Sequence, residues 1–97
     1  MKKTETIDLI KGTFTPSEAQ YLLLDLLNSK INFHNKKDWS SRERFGKPDA
    51  DSEQKLKQLR ESRNKVNTLI SQLINKDNEE KSVTLTSTIE IIINNKQ

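Results

Sequence analysis

The segment Val83-Thr84-Leu85-Thr86-Ser87-Thr88-Ile89-Glu90-Ile91-Ile92-Ile93 constrains this chain more than any other. Its β-branched residues and its alternation mark one long strand. Val83, Leu85, Ile89, Ile91 and Ile93 fall on one face, interrupted by Ser87. Thr84, Thr86, Thr88, Glu90 and Ile92 fall on the other. Only one other stretch, near Thr4 to Phe14, reads as a strand; everything between reads as helix or loop. A lone pair of strands with one apolar face is marginal by itself. It needs cover from helices or from a second copy of the chain.

In the first strand candidate, Thr6 to Phe14, the alternation is imperfect. Ile7 and Leu9 share a face with Lys11 and Thr13, while Ile10, Gly12 and Phe14 share the other. A bulge near Gly12 would account for the break. Thr15-Pro16-Ser17-Glu18 is the sharpest local signal. Thr15 can cap a helix, Pro16 suits the first helical position, and Glu18 completes a capping box. Phe14, just before the cap, can staple onto the first turn.

The helix that follows runs to about Asn35, with Ala19, Leu22, Leu23, Leu26, Leu27 and Phe33, and Lys30 or Ile31 between, at helical spacing. Tyr21 and Leu24 lie off that stripe and leave room for a second contact surface. About 36–50 reads as a long connection with some helical content, holding Gly46 and Pro48. Connections of that length in small domains are often functional. Asp51 or Ser52 is expected to cap a second helix, which ends near Lys76. Leu56, Leu59, Arg63, Val66, Ile70 and Leu73 form its seam, with Leu69 and Ile74 widening it. Arg63 interrupts the seam and is expected to snorkel. Asp77 to Lys81 turns the chain into the last strand, about 82–93.

These pieces predict an α+β fold in the order strand (about 4–14), helix (about 16–35), connection, helix (about 52–76), strand. An antiparallel helical hairpin would pack on a small antiparallel sheet formed by the N- and C-terminal strands. With 97 residues this is one small domain. The lengths agree: helices of 20 to 25 residues span roughly 30 to 37 Å, and an 11-residue strand roughly 36 Å. The outer strand edges would lack partners, so a homodimer or larger assembly is expected.

Composition narrows the chemistry. The net charge is +3, mild beside the concentrated basic faces of committed nucleic-acid binders. There is no cysteine, which excludes disulfides and thiol chemistry. Lys2-Lys3 is followed by Thr4-Glu5-Thr6-Ile7-Asp8 rather than an apolar run, and no stretch approaches a membrane span. The expectation is a cytoplasmic chain with no membrane association. His34 is the only histidine, and Asp38 lies one turn on if the helix continues. Two ligands make no zinc site, so His34 reads as a surface residue at a helix end. The two glycines cannot build a phosphate-cradling loop, and the carboxylates lie in polar stretches beside Lys or Arg. No catalytic residue, metal site or cofactor is expected, and the chain does not read as an enzyme.

The connection is the candidate site. Trp39, Arg42, Arg44, Phe45, Lys36 and Lys37 mix aromatic and basic side chains, with Phe33 and Lys47 near them. That mixture suits a protein interface anchored on Trp and Arg, or phosphate contact with base stacking. Equally, Trp39 and Phe45 could fold back and cap the helical hairpin. The leading reading is a small non-catalytic module for protein interaction and self-association, its protein partner unknown. The alternative, from another class, is a nucleic-acid-binding accessory protein using the basic-aromatic segment.

Overall fold

The computed structural model describes residues 2–75 and 81–95. The expected helix end at Lys76 and the turn residues Asp77 to Glu80 lie outside them. The element order is β1 (Lys3–Phe14), α1 (Pro16–Phe45), α2 (Ala50–Asn75) and β2 (Val83–Ile93). β1 and β2 pair antiparallel in a two-stranded sheet, and α1 and α2 form a helical hairpin packed against it. This is the α+β architecture expected from the strand and helix signals.

The junction between strand and helix forms as its residues dictate. Thr15 Oγ1 accepts from Glu18 N at 3.1 Å, and Glu18 Oε1 accepts from Thr15 N at 2.9 Å. The reciprocal pair satisfies two donors that the first helical turn would otherwise leave open.

The helical hairpin is held by a narrow apolar seam. Ile31, Leu56 and Leu59 are buried together, with Leu27 packed against them. Ile70 and Ala19 are buried further along. The heptad-like seam of α2 is therefore the packed one, with two corrections at its edges. Leu69 is 57% exposed and Ile74 38%, so neither widens the contact; a hairpin of two helices covers only one stripe of each. Arg63, rather than reaching only for water, donates from Nη1 to Asn28 Oδ1 on α1 at 3.1 Å.

β1 contains the bulge, but at Leu9 rather than near Gly12. Lys3 pairs with Ile93 and Asp8 with Thr88; after one extra residue, Ile10 pairs with Ser87 and Phe14 with Val83. A strand flips faces at every residue, so one inserted residue re-aims all that follow. The shift at Leu9 brings Ile7 onto the same side as Ile10, Gly12 and Phe14. The opposing residues of β2 are Val83, Leu85, Ile89, Ile91 and Ile93. One apolar face and one threonine-rich face result. Thr13 and Thr84, paired on the polar face, bring their hydroxyls within 3.2 Å.

The ribbon meets the hairpin unevenly. Its close backbone approaches to the helices among the described residues are to α1. Ile10, Gly12, Phe14, Val83, Leu85 and Ser87 are half-buried, whereas the residues from Thr88 onward and before Ile10 are exposed. The half nearest the capping box is thus covered, and the half carrying the strand ends Lys3 and Ile93 is not. The molecule measures 53 × 36 × 14 Å, with a radius of gyration of 17.4 Å. A compact chain of this length has about 12.5 Å.

Candidate functional site

The segment expected as a long connection is mostly helix. α1 continues through Phe45, and only four residues, Gly46 to Asp49, separate it from α2. No glycine or proline interrupts Lys36 to Phe45, and Arg42 Nε donates to Asp38 Oδ2 at 3.0 Å across one helical turn. The stop comes at Gly46, whose φ of 69° is the left-handed conformation that ends helices, with its N–H donating to Arg42 O. Asp49, not Asp51 or Ser52, caps α2: its Oδ2 accepts from Ser52 N at 3.0 Å, and its carbonyl accepts from Glu53 N.

Polar side chains stitch this end of the hairpin together. Asp38 Oδ1 accepts from Asp49 N at 2.9 Å while its other oxygen holds Arg42, which reaches on to Glu53 Oε1 at 3.3 Å. Ser41 donates to Lys47 O at 3.0 Å. Arg42, aided by the Asp49 N–H, holds the Asp38 carboxyl below its ordinary pKa. The side chain and N–H of Ser52 do the same for Asp49.

His34 sits inside α1 rather than at a helix end. Its Nδ1 lies 3.4 Å from Ser52 Oγ, and its ring meets Phe33 edge-on at 5.1 Å. Ser52 has no exposed surface. The pair joins two helices, and Asp38, engaged elsewhere, is no third member. Among the described residues, no three His, Cys, Asp or Glu side chains gather where a metal ion could bind.

The helix disperses the basic and aromatic set. Successive residues turn by about 100°, so Lys36 and Trp39 share one flank of α1. Lys37 and Arg44, with Phe33, lie on the opposite flank, and Arg42 is engaged at the turn. Trp39 is 65% exposed and Phe45 69%. Neither folds back to cap the hairpin; the polar stitching closes that end instead. All six residues are exposed, but they do not form one surface.

A different surface is continuous. On the uncovered half of the ribbon, Ile7, Ile89, Ile91 and Ile93 stand side by side on one face, 38–52% exposed. Lys3 and Glu5 flank them on the same face, linked at 3.9 Å. At the other end of the ribbon an open cleft of about 440 Å³ lies between strand and helix, lined by Phe14, Ser17, Glu18, Tyr21 and Leu22. Gly12 makes room beside it: the Phe14 ring passes 3.4 Å from where a Cβ on Gly12 would stand. Tyr21, off the first helix's apolar stripe, is 71% exposed here. Of these residues the sequence singled out Tyr21 as a possible second contact surface and the β2 isoleucines as a face needing cover, but none stood in its basic and aromatic candidate site. The available signal was the phase error in β1, because a bulge between Ile7 and Ile10 is what gathers its isoleucines with those of β2.

The chain has no match among protein family models, curated proteins or solved structures. Among the described residues, no helix is long and apolar enough to cross a membrane.

Proposed function

We propose that this protein is a small, non-catalytic assembly module that self-associates through the apolar face of its terminal ribbon, in the simplest case as a homodimer. One observation carries the reading: four isoleucines lie together on one face of a sheet whose other face is mostly threonine, and no part of the described chain covers them. Burying apolar surface is worth about 25 cal/mol per Å², and a two-stranded ribbon gains little stability without such burial. Among the described residues the outer edges of both strands also have no neighbouring strand. A catalytic role finds less support. The one histidine is tied to a buried serine, and among the described residues the two carboxylates with shifted pKa values serve the interhelical turn.

Size-exclusion chromatography with light scattering tests the proposal. A mass at or above twice 11.3 kDa is expected at tens of micromolar, decreasing toward one chain on dilution. A single-chain mass throughout that range would defeat it.

A further inference from the structure

We infer that the second copy docks face to face and antiparallel, with the bare end of each ribbon seated in the Phe14–Tyr21–Leu22 cleft of the other. This rests on the self-association proposed above and specifies its geometry.

The competing arrangement pairs strand edges. The β1 edge is guarded by Lys3, Glu5, Asp8 and Lys11 and by the bulge at Leu9, devices that discourage edge pairing. The β2 edge carries only Glu90 and could accept a twin. However, a four-stranded sheet made that way by a twofold axis normal to the sheet places both apolar faces on the same side. The wet apolar surface would double in width instead of disappearing. Stacking the two faces removes it from both copies.

Area extends the contact beyond the ribbon. Even the whole face, two strands wide and roughly 36 Å long, covers only about 360 Å² in plan, and half of it is already covered by the helix, while a stable interface takes about 800 Å² from each partner. The remainder must come from beside the ribbon, and the apolar surface there is the cleft with Tyr21 at its mouth.

Position completes the argument. The bare isoleucines and the cleft lie at opposite ends of one ribbon. A twofold axis through its middle, near the Asp8–Ile10 bulge, lays each bare end over the other copy's cleft. Both sites are filled at once and the assembly closes.

The chain has no cysteine, so disulfide mapping is clean. Within one copy, Ile91 lies eight residues beyond Val83, about 27 Å along the strand, and Val83 pairs with Phe14 at the cleft. A bond between positions 21 and 91 therefore reports contact between copies. Full-length Tyr21→Cys and Ile91→Cys chains, mixed and mildly oxidised, are expected to give a linked dimer several times more efficiently than either variant alone. In the stacked arrangement the two copies of each position lie at opposite ends. Ile91→Cys linking to itself as well as it links to Tyr21→Cys would bring the two bare ends together and overturn the docking geometry. A dimer by light scattering with no 21–91 bond would also overturn it, leaving self-association intact; a monomer with no bond would end both. Ile91→Lys, which faces Glu5 in the register and so keeps the ribbon paired, should weaken dimerisation about tenfold or more. Tyr21→Lys, one turn from Glu18, should do the same, and unchanged dimerisation in both variants would also overturn the geometry.

Discussion

The two ends of this molecule are finished in different ways. At the interhelical turn, Asp38, Arg42, Asp49, Ser52 and Glu53 satisfy one another through bonds of 2.9–3.3 Å, and a left-handed glycine closes the helix. At the free end of the ribbon, isoleucines stand in water and, among the described residues, the one side-chain ion pair is between Lys3 and Glu5 on the same strand. Polar networks are local and directional, so four turn residues and their neighbours can complete one. Apolar burial needs area on both sides, and 97 residues in this layout do not supply it at both ends. The difference marks one end as closed by its own polar groups and the other as an exposed apolar surface among the described residues.

The comparison breaks most easily in the cores. Leu59 is buried against Ile31 and Leu56, and Leu59→Ala should cost about 2–5 kcal/mol of unfolding free energy. Ile89→Ala removes a cross-strand neighbour of Ile7, worth roughly 0.2–1 kcal/mol in an uncovered ribbon. Urea unfolding at two protein concentrations separates the ends. The Leu59→Ala loss should hold at both, while the Ile89→Ala loss should grow with concentration as wild-type ribbons become covered. An Ile89→Ala cost as large as that of Leu59→Ala in dilute solution would mean that the ribbon is already buried.

What the sequence disclosed follows the same division. Periodicity is a property of each element alone, so the capping box, the seam from Leu56 to Leu73 and the alternation of β2 were all legible. The order strand, helix, helix, strand followed from them. What escaped depended on how elements meet. Residues 36–45 read as a loop because their polar composition lacks an apolar stripe; they are helical because the Asp38–Arg42 pair and the contacts of Asp38 and Ser41 to the turn favour it. Once helical, Trp39 and Arg44 part to different flanks, and a surface that a loop could gather is dispersed. The bulge was legible as a phase error, but its position at Leu9 depends on which residues of β2 it must face.

Gly46 tests the finished end at a single backbone position. No atom lies within 4 Å of the place its Cβ would occupy, so Gly46→Ala introduces no clash. Its φ of 69° still disfavours any side chain, and a loss of about 1 kcal/mol is expected. A thermal midpoint unchanged from wild type would show that the turn does not depend on the left-handed residue, and the two ends would then differ less than their geometry implies.

The smallest effect is expected in acid. Asp38 has a folded pKa below the ordinary 3.8, caused first by the hydrogen bond from Arg42 and next by that from Asp49 N–H. A carboxylate shifted downward stabilises the fold at pH values above its unfolded pKa, and the contribution disappears as pH falls through the lower, folded value. Asp38→Asn keeps an oxygen for the Asp49 N–H but cannot carry the charge that holds Arg42. The urea midpoint should therefore drop less between pH 7 and pH 3 in the variant than in wild type, and the two should converge at the acid end. Equal pH dependence in both would show that the charge of Asp38 contributes nothing, leaving the turn closed by backbone geometry and neutral hydrogen bonds. Added salt gives a second view of the same pair. Arg42 is half exposed, so screening should narrow the gap between variant and wild type at pH 7, whereas a gap insensitive to salt would assign it to the hydrogen bonds rather than to charge.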